Sequence, residues 1–227
     1  MRAYAELAEI RAARGDWVAF LDSDDSWRPE KLAHQVAMME RAASNVMACS
    51  TGYYLHKDGR ELTVSLNLSP EQFRREILFG CTISPGTTLF VERRVFDELG
   101  FDEDMRRLED WDWLLRFAKR YDVAFVAQPL ADVYLTTRRP CQTPGRADPV
   151  LDAIQHIRAK HLPCMESPKR RRQLRSSLLV ETAATLHRRG RPLPAAVYVL
   201  AAFFVYPVRN AAYFRTLWRS VIGLFRS

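Results

Sequence analysis

Two clusters of acidic side chains have the residue types and spacing that metal binding and acid–base chemistry require. The first, Asp22-Ser23-Asp24-Asp25, follows directly after the apolar run Trp17 to Leu21. Carboxylates this close together repel one another, and a bound divalent cation relieves that repulsion. Carboxylate oxygens suit Mg²⁺ or Mn²⁺, ions that usually share their coordination with substrate phosphates. The first cluster therefore indicates a divalent-cation site, whereas a solvated acidic turn that caps the next helix is the alternative interpretation.

Two other kinds of cation or phosphate site fit this cluster poorly. An EF-hand loop that begins at Asp22 needs Gly at its sixth position and Glu at its twelfth, and the sequence has Trp27 and Ala33 there. A phosphatase of the haloacid dehalogenase type also needs a late acidic pair in a Gly-Asp context, which the sequence lacks. The apolar run before the cluster and the Trp27-Arg28-Pro29 segment after it favour a ligand site over a simple turn.

The second acidic cluster, Glu109-Asp110-Trp111-Asp112, lies at the start of a predicted helix. Acidic side chains are stabilised at a helix N-terminus by the dipole and the free amide groups, which is the purely structural interpretation. The functional interpretation is a general base, because a hydroxyl group is a poor nucleophile until a nearby base takes its proton.

Strands that alternate with helices predict an α/β sheet to position these clusters. In such sheets, ligands bind beyond the carboxyl ends of the strands, where the first cluster falls. The turn sequence Lys57 to Arg60 predicts a hairpin, and Ser69 to Gln72 resembles a capping box. Leu32, Val36 and Met39 give the helix after Pro29 an apolar face. The predicted strands are 17–21, 46–55, 61–66, 87–91 and 123–127, and the predicted helices are 4–15, 29–39, 94–99 and 109–121.

The composition changes after residue 137, which predicts a domain boundary between 1–137 and 138–227. Residues 1–137 carry 17 Lys and Arg against 23 Asp and Glu, whereas residues 138–227 carry 17 against 4. The second region shows only helical patterns, at about 150–161, 168–189, 193–206 and 210–225. We expect the acidic region, 1–137, to hold a cation and the basic region, 138–227, to contact phosphate groups.

The basic region predicts contact with an anionic membrane surface. Lys169 to Arg172 is a run of four cations, and aromatic, aliphatic and Arg residues alternate after Pro207. The uncharged stretch Ala195 to Tyr206 is too short to span a bilayer. A solvated helix face and a helical hairpin packed on the first domain are the alternatives. We expect no nucleic-acid partner, because no recognition motif accompanies the charge.

The segment Ala19 to Leu32 resembles the metal-binding segment of family 2 glycosyltransferases with the GT-A fold. In that family the Asp-x-Asp pair holds the metal that bridges the diphosphate of the donor. The resemblance implies that Asp22 and Asp24 bind the metal and the donor, with Asp25 as an accessory ligand.

The segment Leu108 to Arg116 is similar to the family's Glu-Asp-aromatic-Asp motif, in which the Asp directly after Glu is the base. The resemblance implies Asp110 as the catalytic base. Glu109, Trp111 and Asp112 take acceptor or positioning roles, and a Trp111–Trp113 acceptor platform competes with core packing. The stretch 83–103 between the clusters resembles the acceptor side of the family.

The resemblance covers about residues 10–135 and implies a GT-A-like, Rossmann-like mixed sheet followed by a helical C-terminal region. The family begins with a strand–helix–strand unit that binds the nucleotide, so we expect an N-terminally truncated domain that lacks its first strands. The implied activity is that of a metal-dependent, inverting glycosyltransferase of the hexosyltransferase type in polysaccharide biosynthesis. It would use a nucleotide-sugar donor, best matched by a UDP-sugar, and a glycan or lipid-linked acceptor. A non-catalytic remnant that binds a membrane surface or a partner is the alternative.

The cysteine content predicts the compartment. Four Cys residues without a Cys-x-x-Cys spacing, and no signal peptide, indicate a reducing environment. We therefore expect a cytoplasmic protein that associates with the inner face of the membrane.

Overall fold

The computed structural model describes residues 9–10, 12–57, 59–80, 86–135 and 148–207. The chain divides into a sheet unit, Met1–Asp104 with Glu109–Gly145, and a helical unit, Met105–Leu108 with Arg146–Ser227. The predicted boundary at 137/138 lies outside the described residues, as do the predicted helix over 210–225 and most of the predicted helix over 4–15.

The sheet unit is built on a mixed sheet with the order β1-β5-β3-β6-β2, in which β4 pairs with the outer part of β3. The central pair, β3 and β6, is parallel, and the other described pairs are antiparallel. This mixed α/β arrangement confirms the predicted fold class. The strands are β1 Trp17–Ala19, β2 Ser26–Trp27, β3 Val46–Lys57, β4 Arg60–Val64, β5 Leu89–Glu92 and β6 Asp122–Leu135.

Strand β6 is much longer than the predicted strand over 123–127. Its pairing with β3 shifts register on both sides of Gly52↔Pro129, after Thr51↔Val126 and before Tyr54↔Asp132, and then continues to Lys57↔Leu135. This bulge accommodates Pro129, whose missing N–H would otherwise interrupt a central strand. The sequence pattern predicts a strand that ends before Pro129, because proline disfavours a central strand and the bulge cannot be recognised from the sequence.

Local signals set the remaining boundaries of the sheet unit. The β3–β4 hairpin closes with Lys57 opposite Arg60, and Gly59 has a φ of +73°. Ser69 and Gln72 form the predicted capping box. The helices are α1 Lys31–Met39, α2 Pro70–Glu76, α3 Val95–Glu98 and α4 Glu109–Phe117, with 3₁₀ turns at Ile77–Phe79 and Gly86–Thr88.

Helix α1 buries a different face from the predicted one. Leu32 and Val36 are 41% and 40% exposed, whereas Lys31 and Gln35 are fully buried together with Met39. The prediction for Leu32 and Val36 was wrong. The spacing of apolar residues carries no information on the hydrogen bonds that allow Lys31 and Gln35 to be buried.

The helical unit contains α5 Pro149–His161, α6 Pro168–Arg188 and α7 Pro192–Val205, within a residue of the predicted bounds. Asp148 and Ser167 cap the first two helices, and a proline occupies the first turn of all three. No helix in the described part of the chain is both long enough and apolar enough to cross a bilayer.

A substitution at Gly52 tests the close packing around the bulge in the β3–β6 pair. A Cβ atom at this position would lie 2.7 Å from the Val64 carbonyl oxygen and 2.8 Å from that of Ala127, and backbone atoms cannot move aside easily. We expect Gly52→Ala to lower the free energy of unfolding by about 1–3 kcal/mol in urea denaturation. Gly15→Ala, whose Cβ would meet its nearest neighbour at 3.5 Å, is the matched control. Equal stability of the two variants would contradict the described packing.

Candidate active site

The first acidic cluster lies on a loop that joins the two outer strands of the sheet. β1 ends at Ala19, the amide of Asp25 donates to the carbonyl of Asp22 over 3.0 Å, and β2 then pairs with β6. Because β1 and β2 stand at opposite ends of the strand order, the loop crosses the end of the sheet. The loop is therefore positioned by both edges of the sheet.

Thr87 fixes this loop from the start of β5. Its hydroxyl accepts from the Asp22 amide over 3.2 Å and donates to the Asp25 carboxylate. Its carbonyl accepts from the Trp27 indole over 2.8 Å, and Thr87 itself is fully buried. The second Asp25 oxygen accepts from the Tyr134 amide over 3.0 Å. Asp25 thus holds the loop in place, while Asp24 is exposed to solvent.

A buried polar layer supports the loop from behind, and sequence reasoning missed it. The Lys31 ammonium lies 4.3 Å from the centre of the Trp27 ring and donates to the Gln35 side chain over 2.8 Å. Gln35 in turn donates to the carbonyls of Cys49 and Thr88, over 3.1 Å and 3.0 Å. The Trp27 ring therefore contacts the Lys31 ammonium on its face and the Thr87 carbonyl at its edge. These two contacts fix the position of Trp27, which follows the acidic loop in the chain. The only sequence signal was the polar i, i+4 pair on α1.

The second acidic cluster forms the first turn of α4. Leu108, the residue before it, has a left-handed φ of +58°, which is costly for a branched side chain and is often found at functional sites. An Asp110 oxygen accepts from the Trp111 amide over 2.7 Å. Glu109 is 9% exposed, and Asp110 is partly buried.

Trp111, Trp113 and Asp112 anchor α4 rather than project from it. The Trp111 indole donates to the Ile77 carbonyl over 2.7 Å, and the Trp113 indole donates to the Leu99 carbonyl over 2.6 Å. Asp112 is fully buried and pairs with Arg116 over 2.9 Å. The two indole contacts fix the direction of the first turn of α4. Trp113 is 1% exposed and nevertheless reaches the cavity described next.

Both acidic clusters reach one cavity of about 510 Å³ within the sheet unit. Asp22 and Ser23 line it from the loop, and Glu109, Asp110 and Trp113 line it from α4. Trp17, Phe20 and Phe101 add aromatic surface. Carboxylates from two elements thus face a shared space of the size of a small-molecule site.

The described residues contain no group of three His, Cys, Asp or Glu side chains arranged to hold a metal ion. The acidic loop still fits a magnesium-type ion, because such ions are usually held by one or two protein carboxylates together with substrate phosphates. Asp22 and Asp24 are the two carboxylates of this loop that a site of this open kind would use.

The fold places the chain among α/β proteins of the GT-A type. S. aureus TarS, whose residues 1–349 were crystallised in complex with UDP-GlcNAc, matches with a TM-score of 0.56 and 15% identity. The match covers 90% of this chain and 62% of that chain, so it shows a shared fold.

The sequence comparisons show a likeness to glycosyltransferases. Residues 3–100 match the model of glycosyl transferase family 2. The amylovoran biosynthesis glycosyltransferase AmsB of Erwinia amylovora is 32% identical over 146 residues, covering 61% of this chain and 48% of AmsB. The UDP-Glc:alpha-D-GlcNAc-diphosphoundecaprenol beta-1,3-glucosyltransferase WfaP of Escherichia coli is 32% identical over 85 residues, covering 37% of this chain and 33% of WfaP. The predicted resemblance to family 2 glycosyltransferases is thereby confirmed, and the chain spans about half the length of the first of these relatives.

The buried polar layer makes stability depend on pH. Burial lowers the pKa of Lys31 from 10.5 to about 8 and raises the pKa of the Cys49 thiol from 9.0 to about 12. Between about pH 8 and pH 9 the folded protein loses the Lys31 proton that the unfolded chain keeps. The free energy of unfolding therefore rises with pH in this window, by up to about 1.4 kcal/mol per pH unit. Above pH 9 Cys49 opposes the rise, because the unfolded chain then loses a thiol proton that the folded protein keeps.

Urea denaturation across this window tests the burial of Lys31. We expect Lys31→Met to abolish the rise in unfolding free energy between pH 8 and pH 9. Lys119→Met, at an exposed lysine, should retain it. A slope in Lys31→Met equal to that of the wild type would show that Lys31 is not the buried group responsible.

Proposed function

We propose that this chain forms the metal-binding and acceptor-binding part of an inverting glycosyltransferase. The observation that supports this most strongly is the shared cavity, which Asp22 and Asp110 both line although they belong to different elements. TarS was crystallised with UDP-GlcNAc, and WfaP is named as a transferase of glucose from UDP-Glc to a diphosphoundecaprenol-linked sugar. These likenesses favour a UDP-sugar as donor and a glycan or lipid-linked saccharide as acceptor.

Asp110 is the proposed general base. Its carboxylate takes the proton of an acceptor hydroxyl, and the hydroxyl oxygen then forms a bond to the anomeric carbon of the donor. The bond from that carbon to the diphosphate oxygen breaks, and its electron pair leaves with the nucleoside diphosphate. Attack from the face opposite the leaving group inverts the configuration. Glu109, buried beside Asp110, orients the first turn of α4 and the acceptor.

Asp22 and Asp24 are the proposed ligands of Mg²⁺ or Mn²⁺, with Asp25 as an accessory residue that keeps the loop in shape. When bound, such an ion neutralises the charge that develops on the leaving diphosphate. Asp22 supplies a carboxylate at the cavity wall, and Asp24 supplies one on the exposed side of the loop. The proposed metal ligand Asp22 and the proposed base Asp110 thereby line the same cavity.

Calorimetric titration tests the metal assignment. We expect UDP and Mn²⁺ to bind more tightly together than either alone, because Asp22 and Asp24 would hold an ion whose charge favours the diphosphate. Asp24→Ala should remove that coupling, whereas Asp104→Ala, at an exposed aspartate of the same unit, should leave it intact. Coupling of wild-type strength in Asp24→Ala would remove Asp24 from the metal site.

Turnover of the nucleotide sugar tests the base. We expect Asp110→Asn to reduce turnover about 10²–10⁴-fold with donor binding preserved, since only proton abstraction is lost. Asp97→Asn, at an exposed carboxylate on α3, is the control and should turn over like the wild type. Unchanged turnover in Asp110→Asn would leave Asp110 as a helix-capping residue. Donor binding without turnover in the wild-type protein would favour the non-catalytic alternative.

A further inference from the structure

Helix α7 has two apolar faces, and among the described residues of the helical unit one of them is packed while the other is exposed. Ala195, Val199 and Ala202 are fully or nearly fully buried, the first two in a cluster with Ala183 and Leu186 of α6. The Ser176 hydroxyl donates to the Ala202 carbonyl over 2.9 Å, which holds the two helices together. The face of α7 that carries Ala195, Val199 and Ala202 is therefore covered by α6.

The opposite face of α7 is an exposed apolar stripe, formed by Leu193, Val197, Leu200 and Phe204. These side chains are 63%, 65%, 45% and 79% exposed, and their spacing places them along one side of the helix. No charged residue lies within Pro192–Val205. A continuous apolar face of this kind marks a contact site rather than scattered surface residues. A 14-residue helix is about 21 Å long, so it is suited to lie in a membrane interface rather than to cross the bilayer.

A cavity of about 400 Å³ lies beside this stripe, between α5, α6 and the start of α7. Arg158, Arg175 and Arg191 line it, together with leucines, Pro194 and Tyr198. Asp152 is the single carboxylate in its described lining. Three cations and an apolar wall in one cavity suit an amphiphilic anion.

The three arginines differ from their neighbours in how their charge is used. Arg188 pairs with Glu181 over 2.9 Å, and Arg189 pairs with Asp148 over 2.6 Å. Among the described residues, no ion pair within 4.0 Å involves Arg158, Arg175 or Arg191. The excess positive charge of the cavity is therefore not balanced by the described part of the chain, which favours an external anion.

The basic run at the start of α6 is less available than its sequence indicates. Arg171 donates to the Met165 carbonyl over 2.5 Å, and Arg172 donates to the Val205 carbonyl over 3.0 Å at the end of α7. Two of the four cations thus cap backbone carbonyls. The predicted aromatic and Arg segment after Pro207 lies outside the described residues.

We propose that the α7 stripe and the arginine cavity together form a docking site for the anionic face of a lipid bilayer. Arg158, Arg175 and Arg191 bind lipid phosphate groups, and the stripe inserts among the adjacent acyl chains. Tyr198, 38% exposed, lines the cavity and follows Val197 of the stripe in the chain, and a ring with a polar tip suits a membrane interface. The proposal goes beyond glycosyl transfer and does not depend on it.

Vesicle co-sedimentation of the full chain tests the site. We expect the wild type to sediment with vesicles of phosphatidylcholine and phosphatidylglycerol, and much less with phosphatidylcholine alone. The triple variant Arg158→Gln, Arg175→Gln, Arg191→Gln should bind the anionic vesicles at least tenfold more weakly. Val197→Ser with Phe204→Ser should lose the binding that survives high salt, because that part is hydrophobic.

The matched control is Arg188→Gln with Arg189→Gln, which removes two paired cations and should bind nearly as the wild type. Circular dichroism and the unfolding midpoint establish that each variant is folded. Wild-type affinity in both the triple and the stripe variant would overturn the proposal. Complete displacement of the protein from vesicles by millimolar inorganic phosphate would also overturn it, because the cavity would then be a site for free anions rather than for a lipid surface.

Discussion

The candidate site depends on Thr87, a fully buried residue that makes three hydrogen bonds to the acidic loop. Its hydroxyl joins the Asp22 amide to the Asp25 carboxylate, and its carbonyl holds the Trp27 indole. Because Thr87 lies in the 3₁₀ turn Gly86–Thr88 that leads into β5, the position of the loop follows the position of that strand in the sheet. Hydrogen bonds in a buried setting polarise one another, so such a network fixes geometry more firmly than its separate bonds would.

The buried polar layer of Lys31 and Gln35 behind Trp27 supports this geometry at the cost of desolvating the Lys31 ammonium. Lys31 is fully buried, and burial lowers its pKa to about 8, so folding opposes the charged form of the amine. The charge is offset by the Trp27 ring and the Gln35 oxygen. An apolar side chain would avoid the desolvation and would lose the contact that orients the indole. The arrangement sacrifices stability to hold the loop that carries Asp22 and Asp24.

The two units use charge in opposite ways. In the sheet unit the structural carboxylates are matched within the fold, as Asp112 is by Arg116 and Asp132 is by Arg28. In the helical unit, three arginines and Asp152 belong to the described lining of one cavity, next to an apolar stripe on α7. Carboxylates that are paired with arginines within the fold keep a site rigid, whereas unpaired arginines beside an apolar surface are suited to bind an external partner.

The sequence by itself determined the features that depend on a few neighbouring residues. These are the hairpin at Gly59, the capping box at Ser69, the starts of α5 and α6, and the first acidic cluster, which lies within the match to the family 2 model. Only the tertiary structure decided that Lys31 and Gln35 face inward, since the Gln35 partners lie 14 and 53 residues away. It also decided that Asp22 and Asp110 line one cavity and that Asp25, Trp111 and Asp112 hold the framework in place. Residue type shows what a side chain can do, whereas its task is set by contacts between segments that are distant in the chain and that exist only once the sheet has formed.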